Sequence, residues 1–180
     1  MRGSAERLGV PFSEAEVRRV LETAAAEFES RPMRVRLLLN ADDGPAAEAV
    51  PFARERPRPV RRLALAADAV DPEDLFLFHK TTRRETYERA RAAHPEADDV
   101  ILRTPGGFLT ETTIANLVVR LGNRLVTPPV RDGLLGGVFR EALLERGRVT
   151  EQSLTPEDLA RAGGVWCVNA LRGWMPAVVV

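Results

Sequence analysis

Two β-hairpins written back to back leave this chain few folds to choose from. "DDVILRT", "PGG" and "FLTE" (98–111) read as two strands around a glycine-rich turn. "IANLVVRL", "GN" and "RLVTP" (114–128) repeat the arrangement, with Gly122-Asn123 as the tight turn. Two more apolar runs, "GVWCVNA" and "WMPAVVV", read as strands near the C-terminus. A helix is expected over 138–146, stopped by Gly147, and Thr155-Pro156-Glu157-Asp158 caps a shorter one. Hairpins mixed with helices predict an α+β fold rather than a doubly wound sheet.

The first part of the chain is sparser. Ser13 and Glu16 form a capping box for a helix over 13–29, whose stripe is Val17, Val20, Leu21, Ala24 and Phe28, with Pro32 ending it. "MRVRLLLN" alternates as a strand and meets the turn "ADDG". Pro45 to Pro59 reads as a loop holding at most one short edge strand, "VRRLALA" as a second strand, and "DAVDPEDL" as a connector. A boundary is expected near residue 72, dividing a small N-terminal part, 1–72, from a larger C-terminal part, 73–180. A second capping box, Thr82 and Glu85, predicts a helix from directly after Lys80 to about His94.

Composition removes several functions. Acidic and basic residues number 26 each, which argues against nucleic acid or an anionic membrane as the main partner. The single cysteine, Cys167, excludes an internal disulfide and reads as buried strand, and two histidines make no metal-ligand cluster. No apolar run of membrane-spanning length is present, and a soluble, cytoplasmic protein is expected.

Lys80 is the only lysine; every other basic residue is arginine. A neutral lysine amine attacks carbonyls, but its ordinary pKa of about 10.4 must then be depressed. A helix N-terminus two residues on and burial among Phe76, Leu77 and Phe78 are expected to do this. A lone lysine is a weak signal by itself. Its company strengthens it. A pyridoxal phosphate enzyme needs a lysine for the Schiff base, an acid for the pyridine nitrogen and backbone donors for the phosphate. Gly136-Gly137 opening the helix at Val138 offers free N–H groups, Arg140 lies in the first turn of that helix, and Glu111 between two strands offers the acid.

The span from Glu111 to Arg140 resembles the signature of the class IV aminotransferases, the fold type IV pyridoxal phosphate enzymes with a D-amino-acid aminotransferase-like fold. Glu111, Thr113, Asn116, Leu117, Leu125, Thr127, Leu135, Gly137, Val138 and Arg140 occupy its positions. Val118 departs, at a packing position where the family usually has phenylalanine or tyrosine. The resemblance covers nearly the whole chain. It implies that Lys80 carries the Schiff base and Glu111 pairs with the pyridine nitrogen. It also implies that Leu135 lies against the ring, while Gly137 and the N–H groups of Val138 and Phe139 hold the phosphate. Arginine would be dead at position 80, because guanidinium stays protonated.

"FHKTTRR" and "NALRGWMP" resemble the 4-amino-4-deoxychorismate lyase branch, in particular the lyase portion of para-aminobenzoate synthases. The resemblance implies release of pyruvate and formation of 4-aminobenzoate, a folate precursor. A branched-chain or D-amino-acid transaminase uses the same lysine, so spacing does not separate the two; "LRGW" favours the lyase. Arg172 is either a bidentate clamp on a substrate carboxylate or a surface turn arginine. Trp174 and Tyr87 are expected to pack, and His79 to fill space. The N-terminus, "SAERLGVPF", resembles a segment that the family precedes with several strands and a phosphate-binding arginine. A truncated small domain with an exposed sheet edge, and hence an impaired protein, is therefore a further expectation. A homodimer acting on a small amino substrate is what the family implies.

Overall fold

The computed structural model describes residues 1–28, 31–53 and 59–180. It divides into two compact units, Met1–Arg54 and Glu55–Val180. The strand expected over "VRRLALA" belongs to the sheet of the second unit, although it lies ahead of residue 72.

The first unit contains helices α1 (Arg2–Leu8) and α2 (Glu14–Ala26) and strands β1 (Met33–Asn40) and β2 (Gly44–Pro51). Ser13 Oγ accepts from the Glu16 N–H at 3.3 Å, as the capping pattern predicts. The helix ends at Ala26, well ahead of Pro32, and the expected last residue, 29, lies outside the described residues. β1 and β2 pair antiparallel along their whole length, from Met33 opposite Pro51 to Asn40 opposite Gly44. The expected loop over 45–59 is thus in good part a full strand. Alanine is a weak strand former, so the pattern hid it. Gly44, at φ 72°, turns the chain, and the two prolines sit at the ends of an edge strand, where a missing N–H is tolerated. Among the described residues of this unit only Ala5 is buried; the stripe on α2 is half-buried at best.

The second unit is a barrel. Strands β3 (Arg61–Leu65), β4 (Asp99–Arg103), β5 (Leu109–Thr112), β6 (Asn116–Leu121), β9 (Val165–Asn169) and β10 (Gly173–Val179) run in the order β5-β4-β3-β10-β9-β6, and β5–β6 pairing closes the ring. β7 (Arg124–Thr127) and β8 (Thr150–Glu151) extend it beyond β6. Both predicted hairpins form, and Gly122 takes φ 59° in the second. β3 is parallel to β4 and to β10, so helices α3 (Leu75–Phe78) and α4 (Glu85–Ala92) lie on a crossover. Helices α5 (Val138–Glu145) and α6 (Pro156–Ala160) follow, and the capping box of Thr155 with Asp158 is present.

Leu63, Ile101, Leu109, Leu117, Val119, Val126, Leu154 and Cys167 fill one core cluster, all fully buried. Each such large aliphatic side chain contributes roughly 1.5–3 kcal/mol. Burial pushes the Cys167 thiol up to about 12, so it behaves as a small apolar group. A second cluster, with Leu77, Tyr87, Val100 and Leu102, packs α3 and α4 against the sheet. A third places Phe139, Leu143 and Leu144 of α5 against Val118, Val168, Trp166 and Trp174. The two indoles meet edge to face at 6.0 Å, so Trp174 packs as expected. Among the described residues no helix is long and apolar enough to cross a membrane.

Candidate active site

Glu111 is the fixed point of the site. It sits on β5, opposite Asn116 at the start of β6, and only 5% of its surface is exposed. The turn between them is tied internally: Thr112 N–H and hydroxyl both donate to the Ala115 carbonyl, at 2.8 and 3.0 Å. Thr113 donates its N–H and its hydroxyl to Asp99 Oδ1, which anchors the turn to β4.

Three donors reach the Glu111 carboxylate. Tyr87 OH and the Leu135 N–H donate to Oε1 at 2.9 and 3.1 Å, and Asn116 Nδ2 donates to Oε2 at 3.2 Å. Asn116 Nδ2 also donates to the Leu135 carbonyl at 2.8 Å. Burial pushes the Glu111 carboxyl up to about 7, against the lowering effect of Leu135 N–H, Tyr87 OH and the charges of Lys80 and Arg84. Burial, followed by the Glu111 charge, raises the Tyr87 phenol, so its proton stays on.

The loop before α5 closes on the same point. A Cβ built on Gly137 would lie 2.2 Å from Asn116 Oδ1, a clash that only glycine avoids. Gly133, at φ 88°, lets that loop approach Pro72, whose Cα would stand 2.9 Å from an added Cβ. The loop ahead of α5 is thereby pressed against the segment that leads through α3 to Lys80. Gly137 is the N-cap of α5 without a side-chain cap, and Val138 is 74% exposed. The first-turn N–H groups of α5 have no partner within the helix. The Phe139 side chain packs inward, leaving its backbone as the useful part. Arg140 serves the frame: buried, it donates to the Pro128 carbonyl at 2.7 Å and pairs with Glu151 at 2.5 Å.

The expected setting of Lys80 needs correction. It is exposed, not buried among Phe76, Leu77 and Phe78; Leu77 alone of the three is buried. The run "LFLF" forms the short helix α3, which turns Leu77 inward and leaves the lysine beyond the helix end. The next helix begins at Glu85, not directly after the lysine. Arg84 is its N-cap, and the local bond is from Arg83 N–H to Thr81 Oγ1 at 3.2 Å, so the box of Thr82 with Glu85 does not form.

Arg172 lies half-buried in the β9–β10 turn. Its N–H donates to Asn169 Oδ1 at 2.8 Å, and Asn169 Nδ2 donates to the Ile114 carbonyl at 3.3 Å. That turn is thus fastened to the one that carries Glu111. Glu111, Leu135 and Gly137 all converge on Asn116. Sequence reasoning named Asn116 only as a motif position and took Tyr87 as packing. No local spacing in the sequence marks Tyr87, because the carboxylate it bonds lies 24 residues further on. Arg84 donates to the Thr113 carbonyl at 2.7 Å while its guanidinium stands 4.9 Å from the Tyr87 ring.

The residues present fit pyridoxal phosphate: a primary amine, a buried acid with an unused acceptor site, and an uncapped helix start beside a cradle that a Cβ would fill.

Comparison with known proteins agrees with this geometry. The family model "Amino-transferase class IV" matches residues 1–180. A Mesorhizobium loti crystal structure, "Putative amino-acid aminotransferase", superposes with a TM-score of 0.92 at 36% identity, covering 99% of this chain and 87% of that one. The Schizosaccharomyces pombe protein "Putative aminodeoxychorismate lyase" is 32% identical over 110 residues, 57% of this chain and 48% of its own. A Thermoproteus uzoniensis branched-chain aminotransferase structure shares the fold, with a TM-score of 0.79 at 24% identity over 98% of this chain and 68% of that one. The matches span less than half the length of the curated relatives. A family match over every residue, on a fold shared at a TM-score of 0.92, has one conclusion: the chain belongs to the class IV aminotransferase family.

Proposed function

We propose that this chain is a pyridoxal-phosphate-dependent enzyme that links the cofactor through Lys80, and that its reaction is the conversion of 4-amino-4-deoxychorismate to 4-aminobenzoate and pyruvate. The observation that carries the reading is the caged carboxylate of Glu111, beside the uncapped start of α5 and with its pKa lowered in part by the charge of the only lysine. Pyridoxal phosphate, when bound, supplies an electron sink for the carbon attached to the substrate nitrogen.

The chain's own residues do the rest. Glu111 accepts from the ring N–H and keeps that proton in place. The N–H groups of Val138 and Phe139, at the positive end of α5, hold the phosphate, and Gly137 lets it approach. Leu135 borders the ring through its half-buried side chain. Lys80 would take the proton from the carbon bearing the substrate amine. It would return a proton to the enolpyruvyl group, which leaves as pyruvate while the six-membered ring becomes aromatic. Arg172 takes a substrate carboxylate, supported by the tie from its turn to Ile114. Lys80 lies in an exposed segment between two helices, which suits a group that must change partners.

A transaminase reading is favoured by the 36% identity to the Mesorhizobium loti protein over 99% of this chain. Product analysis separates them. Loaded protein given 4-amino-4-deoxychorismate is expected to release 4-aminobenzoate, read by its fluorescence after chromatography. Release of glutamate from 2-oxoglutarate and an amino acid, with no 4-aminobenzoate, would replace the lyase by the transaminase. The reading carries with it a cytoplasmic homodimer, and light scattering tests the dimer.

A further inference from the structure

Every donor around Glu111 has a defined role except one. The Leu135 N–H can only donate. The Asn116 amide is oriented by the Leu135 carbonyl, which can only accept, so its nitrogen faces Glu111. A carboxylate offers about four acceptor sites. With Leu135 and Tyr87 on Oε1 and Asn116 on Oε2, one site on Oε2 is left. Tyr87 is the exception, because a phenol both donates and accepts. If it accepted, Glu111 would carry a proton and could donate towards a bound ring.

The surroundings of Tyr87 favour donation. Its ring is 9% exposed in the cluster with Leu77, Val100 and Leu102, and the Arg84 guanidinium covers it while bonded to Thr113. The ring is thus held between that cluster and Arg84, with its hydroxyl 2.9 Å from Oε1. Resting on the cofactor reading above, we propose that Tyr87 is a positioning residue: its hydroxyl keeps Glu111 an acceptor, so the site selects a ring nitrogen that carries a proton.

The test is a comparison of two ligands in the full chain. Apo protein is titrated with pyridoxal phosphate and with its 1-deaza analogue, in which C–H replaces the ring nitrogen. Wild type is expected to prefer pyridoxal phosphate, and Tyr87→Phe to narrow that preference by about tenfold, the loss of one charge-assisted bond. A variant that weakens both ligands equally, or neither, overturns the role. Tyr87 is also the only tyrosine in the chain, so growth on 3-fluorotyrosine alters this phenol alone. Its stronger donor is expected to widen the preference without disturbing packing, and an unchanged preference overturns the proposal even if Tyr87→Phe does not fold. Wild type that binds both ligands equally well leaves the cofactor reading standing and removes the role of Tyr87. Wild type that takes up neither removes both.

Discussion

The acid and the amine of this site are built in opposite ways. Glu111 is buried, held by three donors on a strand of the closed barrel, and anchored through its turn to Asp99. Lys80 is exposed in a short connection between two helices. The contrast has a chemical logic. A group that must only accept one hydrogen bond gains from being fixed before the ligand arrives. A group that must form, release and re-form a bond needs room to move.

Removing the amine should break the exposed half at the largest cost. Lys80→Ala is expected to lower turnover by at least about a thousandfold, since it removes the proposed nucleophile. The same change should shift folding stability by no more than about 0.5 kcal/mol, because the side chain is exposed. Steady-state kinetics and urea unfolding read the two effects separately.

Glu111→Ala should do both kinds of damage. It leaves Tyr87 and the Leu135 N–H without their acceptor, at about 1–3 kcal/mol for each group that stays unpaired, while Asn116 keeps its bond to the Leu135 carbonyl. Activity should fall by about a hundredfold, the scale of one lost transition-state interaction. Glu111→Gln sharpens the comparison through pH. The carboxyl is raised from 4.5 to about 7, so between those values the folded apo protein holds a proton that the unfolded chain has lost. Stability from this group is full below 4.5 and lost as pH rises through 7, a change of about 3 kcal/mol over the window. Urea midpoints of apo wild type should therefore fall from pH 5 to 7.5 relative to Glu111→Gln. Parallel profiles would mean that the acid is not held as described.

Gly137→Ala tests the point where the phosphate cradle meets the acid. The added Cβ collides with Asn116 Oδ1, and displacement of that side chain should cost about 1–3 kcal/mol of stability. Titration with pyridoxal phosphate should show weaker binding as well. Val138→Ala is the mildest case. With the side chain 74% exposed and only its N–H given a role in the proposed site, affinity should change by less than about twofold, since surface substitutions of this kind are near neutral.

The rigid half was the legible half. Strands β4 to β7 announce themselves through alternation and through Gly122-Asn123, because register in a closed sheet must be written into side-chain pattern and turn chemistry. Glu111, Leu135, Gly137 and Val138 were readable as spaced positions of one signature. The exposed half was misread for local reasons. "LFLF" looked like a wall around Lys80, but four residues were enough for a helical turn that buried one apolar side chain and carried the lysine outward. Thr82 looked like a cap, while Thr81 took the backbone N–H of Arg83 instead. Tyr87 carried no signal of its polar role, because its partner is 24 residues away and only the fold brings them to 2.9 Å. β2 was hidden by alanines, whose pairing depends on β1 rather than on their own preference.

One measurement bears most directly on the site: borohydride reduction of the protein mixed with pyridoxal phosphate, followed by peptide mass mapping. Lys80 is the only lysine, so besides the chain's terminal amine no other primary amine can be labelled. The site described predicts a pyridoxyl group on Lys80 at stoichiometric cofactor, diminished in Glu111→Ala. A label confined to the terminal amine, or an equal label on Lys80 with and without Glu111, would contradict it.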